Sequence, residues 1–298
     1  MVRVGAGVRS EQSQVFLNGE FLALDQAKIS VMDRGFLFGD GVYEVIPCYN
    51  GRLFRLSEHL RRLNDSLRGI GMDNPKPVAD WRRILETLTA QWPNSDQAVY
   101  LQVTRGAYAE RNHAVPENVE ATLFAMANPL PPADPQLVAS GIDAYTIEDI
   151  RWQLCNIKAI TLLANILMRE EAARQGGREA ILIRDGRVTE GATSNLFIVL
   201  DDTIVTPPKR HLLLPGVTRD LVLELSAKAD LPCREGDITE AQLAAANEIW
   251  VTSSTKELVA VTRLNGQTVG TGLPGPCYGK IAGLYADYKA QVSGGLEA

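Results

Sequence analysis

Apolar residues recur every three or four positions over residues 56–70, the spacing that puts them on one face of an α-helix. Four leucines form that face and polar side chains lie off it: Leu56, Leu60, Leu63 and Leu67 on the face, with Arg61, Arg62 and Asp65 outside it. The pattern predicts an amphipathic helix here. A second helix is predicted from residue 77 to about residue 92.

Two β-hairpins are predicted ahead of that helix, over residues 15–24 and 42–54. Their turns fall at Asn18-Gly19 and Asn50-Gly51, since an Asn-Gly pair tolerates the positive φ angles that tight hairpins require. Short apolar runs predict two further strands, over residues 98–104 and 121–126. The first half of the chain thus alternates strands and helices.

A proline-rich segment, residues 128–136, follows these elements. Four of its nine residues are prolines, and proline fixes φ and removes a backbone donor, so neither a helix nor a strand is expected through it. Beyond it, predicted strands are interleaved with predicted helices: strands over 137–146, 179–184, 195–199, 248–252 and 258–261, and helices over 158–174, 217–228 and 278–290. The chain shows no internal repeat.

The expected fold class is therefore α/β (α+β mixed), with two domains and a ligand site in the cleft between them. Residues 1–14 are expected to form a flexible N-terminal extension and 15–127 a smaller N-terminal α/β domain. Residues 128–136 are expected to be the linker, and 137–298 a larger C-terminal domain.

Composition and charge argue against several classes of function. The 298 residues are 22% charged with a net charge of −6, so the basic surface typical of nucleic-acid or anionic-lipid binding is not expected. No apolar run is long enough to span a bilayer, and the first residues lack a signal-peptide pattern. The histidines lack metal-ligand spacing. The segment GAGVRS, residues 5–10, lacks the third glycine of a dinucleotide fingerprint. Widely spaced cysteines without a C-x-x-C pair favour a cytoplasmic location: Cys48, Cys155, Cys233 and Cys277.

The candidate chemistry lies in three segments: CNIKAITLLANIL around Lys158, TEGATSN over 189–195, and LPGVTRD over 214–220. They supply a lysine, a carboxylate at Glu190, and a helix start whose N–H groups can bind a phosphate. Those are the groups needed to hold pyridoxal phosphate (PLP), which binds an amine through its aldehyde and works with a protonated ring nitrogen. Each signal alone also fits an ordinary surface lysine, hairpin glutamate or helix cap.

The order and the amino-acid sequences of these segments resemble the motifs of the fold-type IV PLP enzymes. The resemblance extends from about residue 16 to residue 290. The family places its lysine in a D/N-I-K context after E-D-I-R-W, here residues 148–152, so the resemblance implies that Lys158 carries PLP as a Schiff base. It implies that Glu190 pairs with the ring nitrogen, although Ala192 replaces a hydroxyl residue often found in that block. The remaining cofactor contacts that it implies are Leu214, Val217, Thr218, Ser253, Ser254 and Arg62.

Two further segments are similar to those of the D-amino acid transaminases. In that group a Tyr, an Arg and a His hold the substrate carboxylate, and Tyr43 in FGDGVYE, Arg111 and His113 match them. One extra residue lies between Arg105 and Arg111. The resemblance implies reversible, ping-pong amino transfer from D-alanine and other D-amino acids to 2-oxo acids such as 2-oxoglutarate, with Lys158 moving the Cα proton. It also implies a homodimer, because family members build each active site from two subunits.

Other functions on the same scaffold stay open. They are a branched-chain L-amino acid transaminase, an (R)-amine transaminase and an aminodeoxychorismate lyase. A PLP carrier without catalysis is a rival of a different class. No candidate catalytic position is vacant in this sequence, which favours an enzyme.

Overall fold

A computed structural model describes residues 13–93 and 95–295. Most of the expected N-terminal extension, residues 1–12 with the GAGVRS segment, lies outside the described residues. Gln14, the last residue of the expected extension, already belongs to the first strand. The chain forms two compact units: the first contains the chain up to Pro131, Ile157–Thr161 and the residues from Gly295, and the second contains Pro132–Asn156 and Leu162–Gly294.

The first unit is built on a six-stranded antiparallel sheet. Its strands are β1 (Gln14–Leu17), β2 (Glu20–Ala23), β3 (Gly41–Tyr49), β4 (Arg52–Leu53), β5 (Gln97–Thr104) and β6 (Thr122–Pro129), in the order β2-β1-β6-β5-β3-β4. The helices are a 3₁₀ turn (Leu24–Gln26), α1 (Arg34–Phe38), α2 (Leu56–Gly69) and α3 (Val78–Thr89).

Both hairpin predictions in this unit are confirmed, because Asn18 and Asn50 have positive φ angles of 49° and the glycines after them are also positive. The predicted leucine face is confirmed as well. Leu56, Leu60, Leu63 and Leu67 are buried with Trp81, Leu85 and the inner residues of β3 and β5 in one core. That core holds α2 and α3 against the sheet.

The second unit contains a nine-stranded mixed sheet. Its strands are β7 (Ile142–Glu148), β8 (Glu179–Arg184), β9 (Arg187–Gly191), β10 (Asn195–Leu200), β11 (Thr203–Thr206), β12 (Cys233–Glu235), β13 (Glu248–Ser253), β14 (Glu257–Leu264) and β15 (Gln267–Thr268). The order is β12-β11-β10-β13-β14-β7-β8-β9, with β15 on β14, and the pairs β14-β7, β7-β8 and β11-β12 are parallel. Its helices are α4 (Pro135–Ser140), α5 (Leu163–Arg174), α6 (Val217–Lys228), α7 (Glu240–Ala244) and α8 (Pro276–Gly294).

The expected α/β (α+β mixed) class is confirmed, but the bounds of some helices and strands differ from those predicted. The proline-rich segment 128–136 is not all linker. Strand β6 continues through Pro129, and α4 begins at Pro135, where proline at the first helical turn costs nothing and the Asp134 side chain caps the helix. The strand expected over 137–146 begins only at Ile142.

Lys158 does not open a helix, in contrast to the helix predicted over 158–174. Helix α5 begins at Leu163, and Ile157–Thr161 belongs to the first unit, so residues 137–298 do not form a single continuous domain. The reason is competition for backbone hydrogen bonds, because this apolar stretch bonds to β3 instead of coiling. None of the helices in the described part of the chain has the length and apolar character of a membrane span.

Candidate active site

Lys158 is fixed by its own backbone against the first unit's sheet. Its carbonyl accepts a hydrogen bond from the Tyr43 amide (3.0 Å), and the Ile160 amide donates to the Gly41 carbonyl (3.1 Å). The Lys158 amide donates to the hydroxyl of Ser66 on α2 (3.1 Å). The lysine is therefore held on both sides by β3 and α2, although no regular element contains it.

The amine of Lys158 lies over the aromatic ring of Tyr43. Its Nζ is 4.2 Å from the ring centroid. The Tyr43 ring also stacks with the ring of Tyr100, with 5.8 Å between the two centroids. A cation over an aromatic face is stabilised without losing its charge. Two candidates from the sequence, Lys158 and Tyr43, are thus brought together within one unit.

Arg62 lies in a buried cluster with two residues that sequence reasoning missed. Its Nε and Nη2 donate to the two carboxylate oxygens of Glu44 (2.7 and 2.8 Å), and Nδ1 of His59 is 2.8 Å from the same carboxylate. Burial alone would raise the pKa of Glu44, but the charge and hydrogen bonds of Arg62, with His59, hold that pKa well below its ordinary value. Burial lowers the pKa of His59. The bidentate pair fixes the guanidinium expected to contact the phosphate.

A signal for this cluster was present in the sequence. Glu44 is the last residue of FGDGVYE, and His59 stands in the E-H-x-x-R spacing that singled out Arg62. A glutamate at a strand position flanked by apolar residues is costly unless a cation meets it. That cost points to a paired arginine or histidine nearby.

Glu190 lies in the second unit, in strand β9 and not in the connection between two strands. One carboxylate oxygen is paired with Arg151, and the other accepts hydrogen bonds from Asn195 Nδ2 and the Leu214 amide, both 3.1 Å. Burial raises the pKa of Glu190 to about 7, although Arg151 and the Leu214 amide act in the opposite direction. The carboxyl is thus poised to share a proton near neutral pH.

Arg151 holds Glu190 together with a second carboxylate, and sequence reasoning did not assign it a role. Its Nε and Nη2 donate to Asp149 (2.9 and 2.8 Å), and the Thr189 hydroxyl donates to Asp149 as well (2.9 Å). Burial opposes the charge of Arg151, but Asp149 and Glu190 raise its pKa. Both residues stand in the E-D-I-R-W segment that was used only to locate Lys158.

The helix start expected to bind phosphate has free backbone N–H groups. Gly216 precedes α6, and no side chain caps this helix, so the N–H groups of its first turn have no intrahelical partner. A Cβ at Gly216 would come within 1.9 Å of Asn195 Oδ1, so only glycine fits. Val217 and Thr218 follow and are buried. The Thr218 hydroxyl donates no hydrogen bond to any of residues 13–93 and 95–295.

Leu214 and Asn195 join this helix start to Glu190. Besides its own bond to Glu190, Asn195 Nδ2 donates to the Leu214 carbonyl at 2.8 Å, and Asn195 pairs with Thr252 across β10 and β13. Ser253 and Ser254 come next at the end of β13, both half-buried. A buried carboxylate and an uncapped helix start, linked through one asparagine, fit the ring nitrogen and the phosphate of PLP.

Arg111 and His113 share one aromatic neighbour, Phe38 of α1. The guanidinium carbon of Arg111 is 5.1 Å from the Phe38 ring centroid, and the His113 ring centroid is 5.2 Å from it. Both side chains are exposed. No carboxylate in the described ranges forms a salt bridge with Arg111, so its charge is available to an anion.

Within the described ranges, no group of three or more His, Cys, Asp or Glu side chains is placed to hold a metal ion.

Comparison with known proteins shows the family of this chain. Residues 41–264 match the family described as "Amino-transferase class IV". The chain is 39% identical to the D-alanine aminotransferase of Bacillus licheniformis over 263 residues, which covers 88% of this chain and 92% of the relative.

Solved structures also match along nearly the whole chain. The branched-chain amino acid aminotransferase of Escherichia coli aligns with a TM-score of 0.86 and 26% identity, over 93% of this chain and 94% of that one. A hypothetical aminotransferase from Mycobacterium tuberculosis, solved in a PLP-bound form, aligns with a TM-score of 0.81 and 25% identity, over 93% and 99%. The chain therefore belongs to the class IV aminotransferases, the fold-type IV enzymes whose cofactor is PLP.

Proposed function

We propose that this transaminase acts on D-amino acids, moving the amino group of D-alanine and related substrates reversibly to 2-oxo acids such as 2-oxoglutarate. One observation carries the proposal: Arg111 and His113 both contact the ring of Phe38, and Arg111 has no carboxylate partner in the described ranges. A fixed cation beside a second donor suits a substrate carboxylate. The name of the relative from Bacillus licheniformis points the same way.

PLP, when bound, supplies an aldehyde that takes up amino groups and a protonated ring that accepts electrons. Lys158 is proposed to hold the cofactor through its amine. Glu190 is proposed to hold a proton at the ring nitrogen, a task that suits its buried carboxyl. The phosphate contacts are proposed to be the amides of Val217 and Thr218, with Leu214, Ser253, Ser254 and Arg62 as further cofactor contacts.

Proton transfer at the substrate Cα is assigned to Lys158. Once the substrate has displaced it, its Nζ takes the Cα proton as a general base and returns one as a general acid. The backbone bonds of Lys158 to Tyr43 and Ser66 limit how far that amine can move. A proposed carboxylate grip by Tyr43, Arg111 and His113 then decides which face of Cα meets the amine.

A homodimer is part of the proposal. In the first unit, Val31, Phe36 and Val115 expose 69%, 67% and 63% of their surface. In the second unit, Trp152, Leu163 and Ile166 are also exposed. We propose that the partner subunit covers these exposed apolar side chains. Sedimentation of the holoenzyme tests the proposal, and an active monomer contradicts it.

A cytoplasmic location stays a prediction, supported by four cysteines that are all free thiols.

The substrate class is tested by comparing amino transfer to 2-oxoglutarate from D-alanine and from L-alanine. We expect 2-oxoglutarate-dependent pyruvate formation with the D-isomer and at most a trace with the L-isomer. Turnover of the L-isomer alone contradicts the proposal and favours a branched-chain-type enzyme. Turnover of an (R)-amine in preference to D-alanine favours an amine transaminase. Pyruvate release from aminodeoxychorismate without an amino acceptor favours a lyase, and bound cofactor without any turnover favours a carrier.

A further inference from the structure

The ring of Phe38 contacts three cationic or polar side chains of the first unit. The guanidinium carbons of Arg34 and Arg111 are 4.9 and 5.1 Å from its centroid, and the His113 ring is 5.2 Å away at an interplanar angle of 40°. Arg34 and Phe38 are the first and last residues of α1. One short helix therefore contacts two of the three candidate carboxylate-binding residues, Arg111 and His113.

The two arginines on this ring differ in their other partners. Arg34 is buried and paired with Asp40, whose Oδ2 accepts a hydrogen bond from its Nε at 2.8 Å and another from Arg105 Nε. Arg34 Nη1 donates to the backbone carbonyl of Asn112 at 2.7 Å, which fixes the loop that follows Arg111. Arg111 is exposed and has no such carboxylate in the described part of the chain. Arg34 thus shapes the loop, whereas Arg111 keeps its charge.

The helix that carries Phe38 is itself anchored to the sheet. Asp33 accepts hydrogen bonds from the hydroxyls of Thr104 (3.0 Å) and Thr122 (2.6 Å) on β5 and β6, and from the Gly35 amide (2.8 Å). Gly39 ends the helix with a positive φ of 67°, which a side chain would disfavour. Helix α1 is therefore held at both ends, and the ring of its last residue, Phe38, can serve as a fixed surface.

An aromatic ring differs from a carboxylate as a partner for Arg111. A carboxylate would orient the guanidinium but would also compete with the substrate for it. A π face orients the guanidinium through its quadrupole and leaves the positive charge and the N–H donors for another anion.

We propose that Phe38 is a positioning residue of the carboxylate-binding site, whose ring holds both Arg111 and His113 in place without neutralising Arg111. The inference rests on the proposed role of these two residues in binding the substrate carboxylate. It goes further by assigning their alignment to one aromatic side chain. Phe38 acts through Arg111 and His113 and not by touching the substrate.

The test uses propionate, the carboxylate left when the amino group of alanine is removed, as a ligand of the holoenzyme. Its dissociation constant is measured by calorimetry for the wild type, Phe38→Leu and Phe38→Tyr, with Phe21→Leu as a matched control on a half-exposed phenylalanine of β2. We expect Phe38→Leu to weaken propionate binding about fivefold, as the loss of a cation–π contact implies. Phe38→Tyr and Phe21→Leu should stay within about twofold, since the tyrosine keeps the π face.

Two further readouts separate positioning from a general structural defect. Phe38→Leu should raise KM for the amino donor by the same factor and leave kcat nearly unchanged. Its PLP content and its Tm should match the wild type. Unchanged propionate binding in Phe38→Leu overturns the inference, and so does weakened binding that Phe38→Tyr does not restore, or a wild type that does not bind propionate. Because propionate is achiral, an enzyme that proves L-specific can still meet these expectations, so the two proposals fail separately.

Discussion

Tyr43 contacts Lys158 twice, through its backbone and through its ring. Its amide donates to the Lys158 carbonyl at 3.0 Å, and its ring centroid lies 4.2 Å from the Lys158 amine. The first contact fixes the lysine's main chain, and the second orients the far end of its side chain. A reactive amine placed by two independent contacts needs little reorganisation before it acts.

Replacing Lys158 with alanine should therefore remove amino transfer. We expect the rate to fall at least about 100-fold, because a positioned general base and acid is lost. Borohydride reduction of the wild type followed by peptide mapping should find the cofactor on the peptide that contains Lys158. Lys209, half-exposed and paired with Asp220, provides a control as Lys209→Ala. Attachment at another lysine would remove the basis of the mechanism.

Glu190→Gln should lower turnover more than it lowers cofactor binding. The amide keeps the size of the side chain and can keep the bond to the Leu214 amide, but it cannot carry the negative charge that holds a proton at the ring nitrogen. We expect kcat to fall by about 100-fold, the order typical of a lost electrostatic contribution. Steady-state kinetics with a PLP titration checks this, and a variant with wild-type kcat contradicts the role.

Gly216→Ala should weaken PLP binding. The new Cβ would lie within 1.9 Å of Asn195 Oδ1, so Asn195 must move and give up its bonds to Glu190 and Leu214. Lost hydrogen bonds of this kind cost about 1–3 kcal/mol, so the dissociation constant should rise about tenfold. Gly279→Ala is the matched control, since nothing lies within 4 Å of a Cβ there. Equal PLP affinity in both variants would show that the helix start tolerates a side chain.

Glu44→Gln should destabilise the protein in a pH-dependent way. The variant leaves Arg62 buried without its carboxylate, which costs about 3 kcal/mol at neutral pH. The pKa of Glu44 is held below its ordinary value of 4.5, so this contribution is present above pH 4.5 and is lost as pH falls towards the folded-state pKa.

Urea unfolding at a series of pH values measures that dependence. The gap in unfolding free energy between wild type and Glu44→Gln should be widest near neutral pH and narrow below about pH 4.5. Glu86→Gln is the control, because its pair with Arg82 is exposed and should contribute under about 0.5 kcal/mol. A gap that does not change with pH would mean that Glu44 is not ionised in the folded protein.

Elements with strong local signals could be predicted from the sequence. The Asn-Gly turns, the leucine face of α2, and the bounds of β8 and α6 depend on the residues within each element. Helix α1 could not, because it depends on distant partners: Asp33 caps it while bound to β5 and β6. Strand β9 was missed although it pairs with β8, the strand just before it, across the turn at Asp185-Gly186.

The groups of the proposed site come from local motifs, which give less information on their surroundings. Lys158, Glu190 and the helix start at Gly216 were predicted as cofactor contacts from such motifs, which do not depend on the predicted secondary structure. The stretch 157–161 is apolar and looks helical in composition, yet it bonds to β3. The roles of Glu44, His59 and Arg151 were missed, because a charged residue in a sequence does not show which partner it pairs with. Only the place of Glu44 between apolar strand residues gave a signal that it is paired.

The five residues around Lys158 prevent a division of the chain into two contiguous segments, one for each unit. The chain leaves the second unit after Asn156, adds Ile157–Thr161 to the first, and returns at Leu162. A fragment ending at Pro131 would lack the segment that pairs with Val42 of β3. A cut at the proline-rich boundary would therefore separate Lys158, the proposed cofactor lysine, from the strand that positions it.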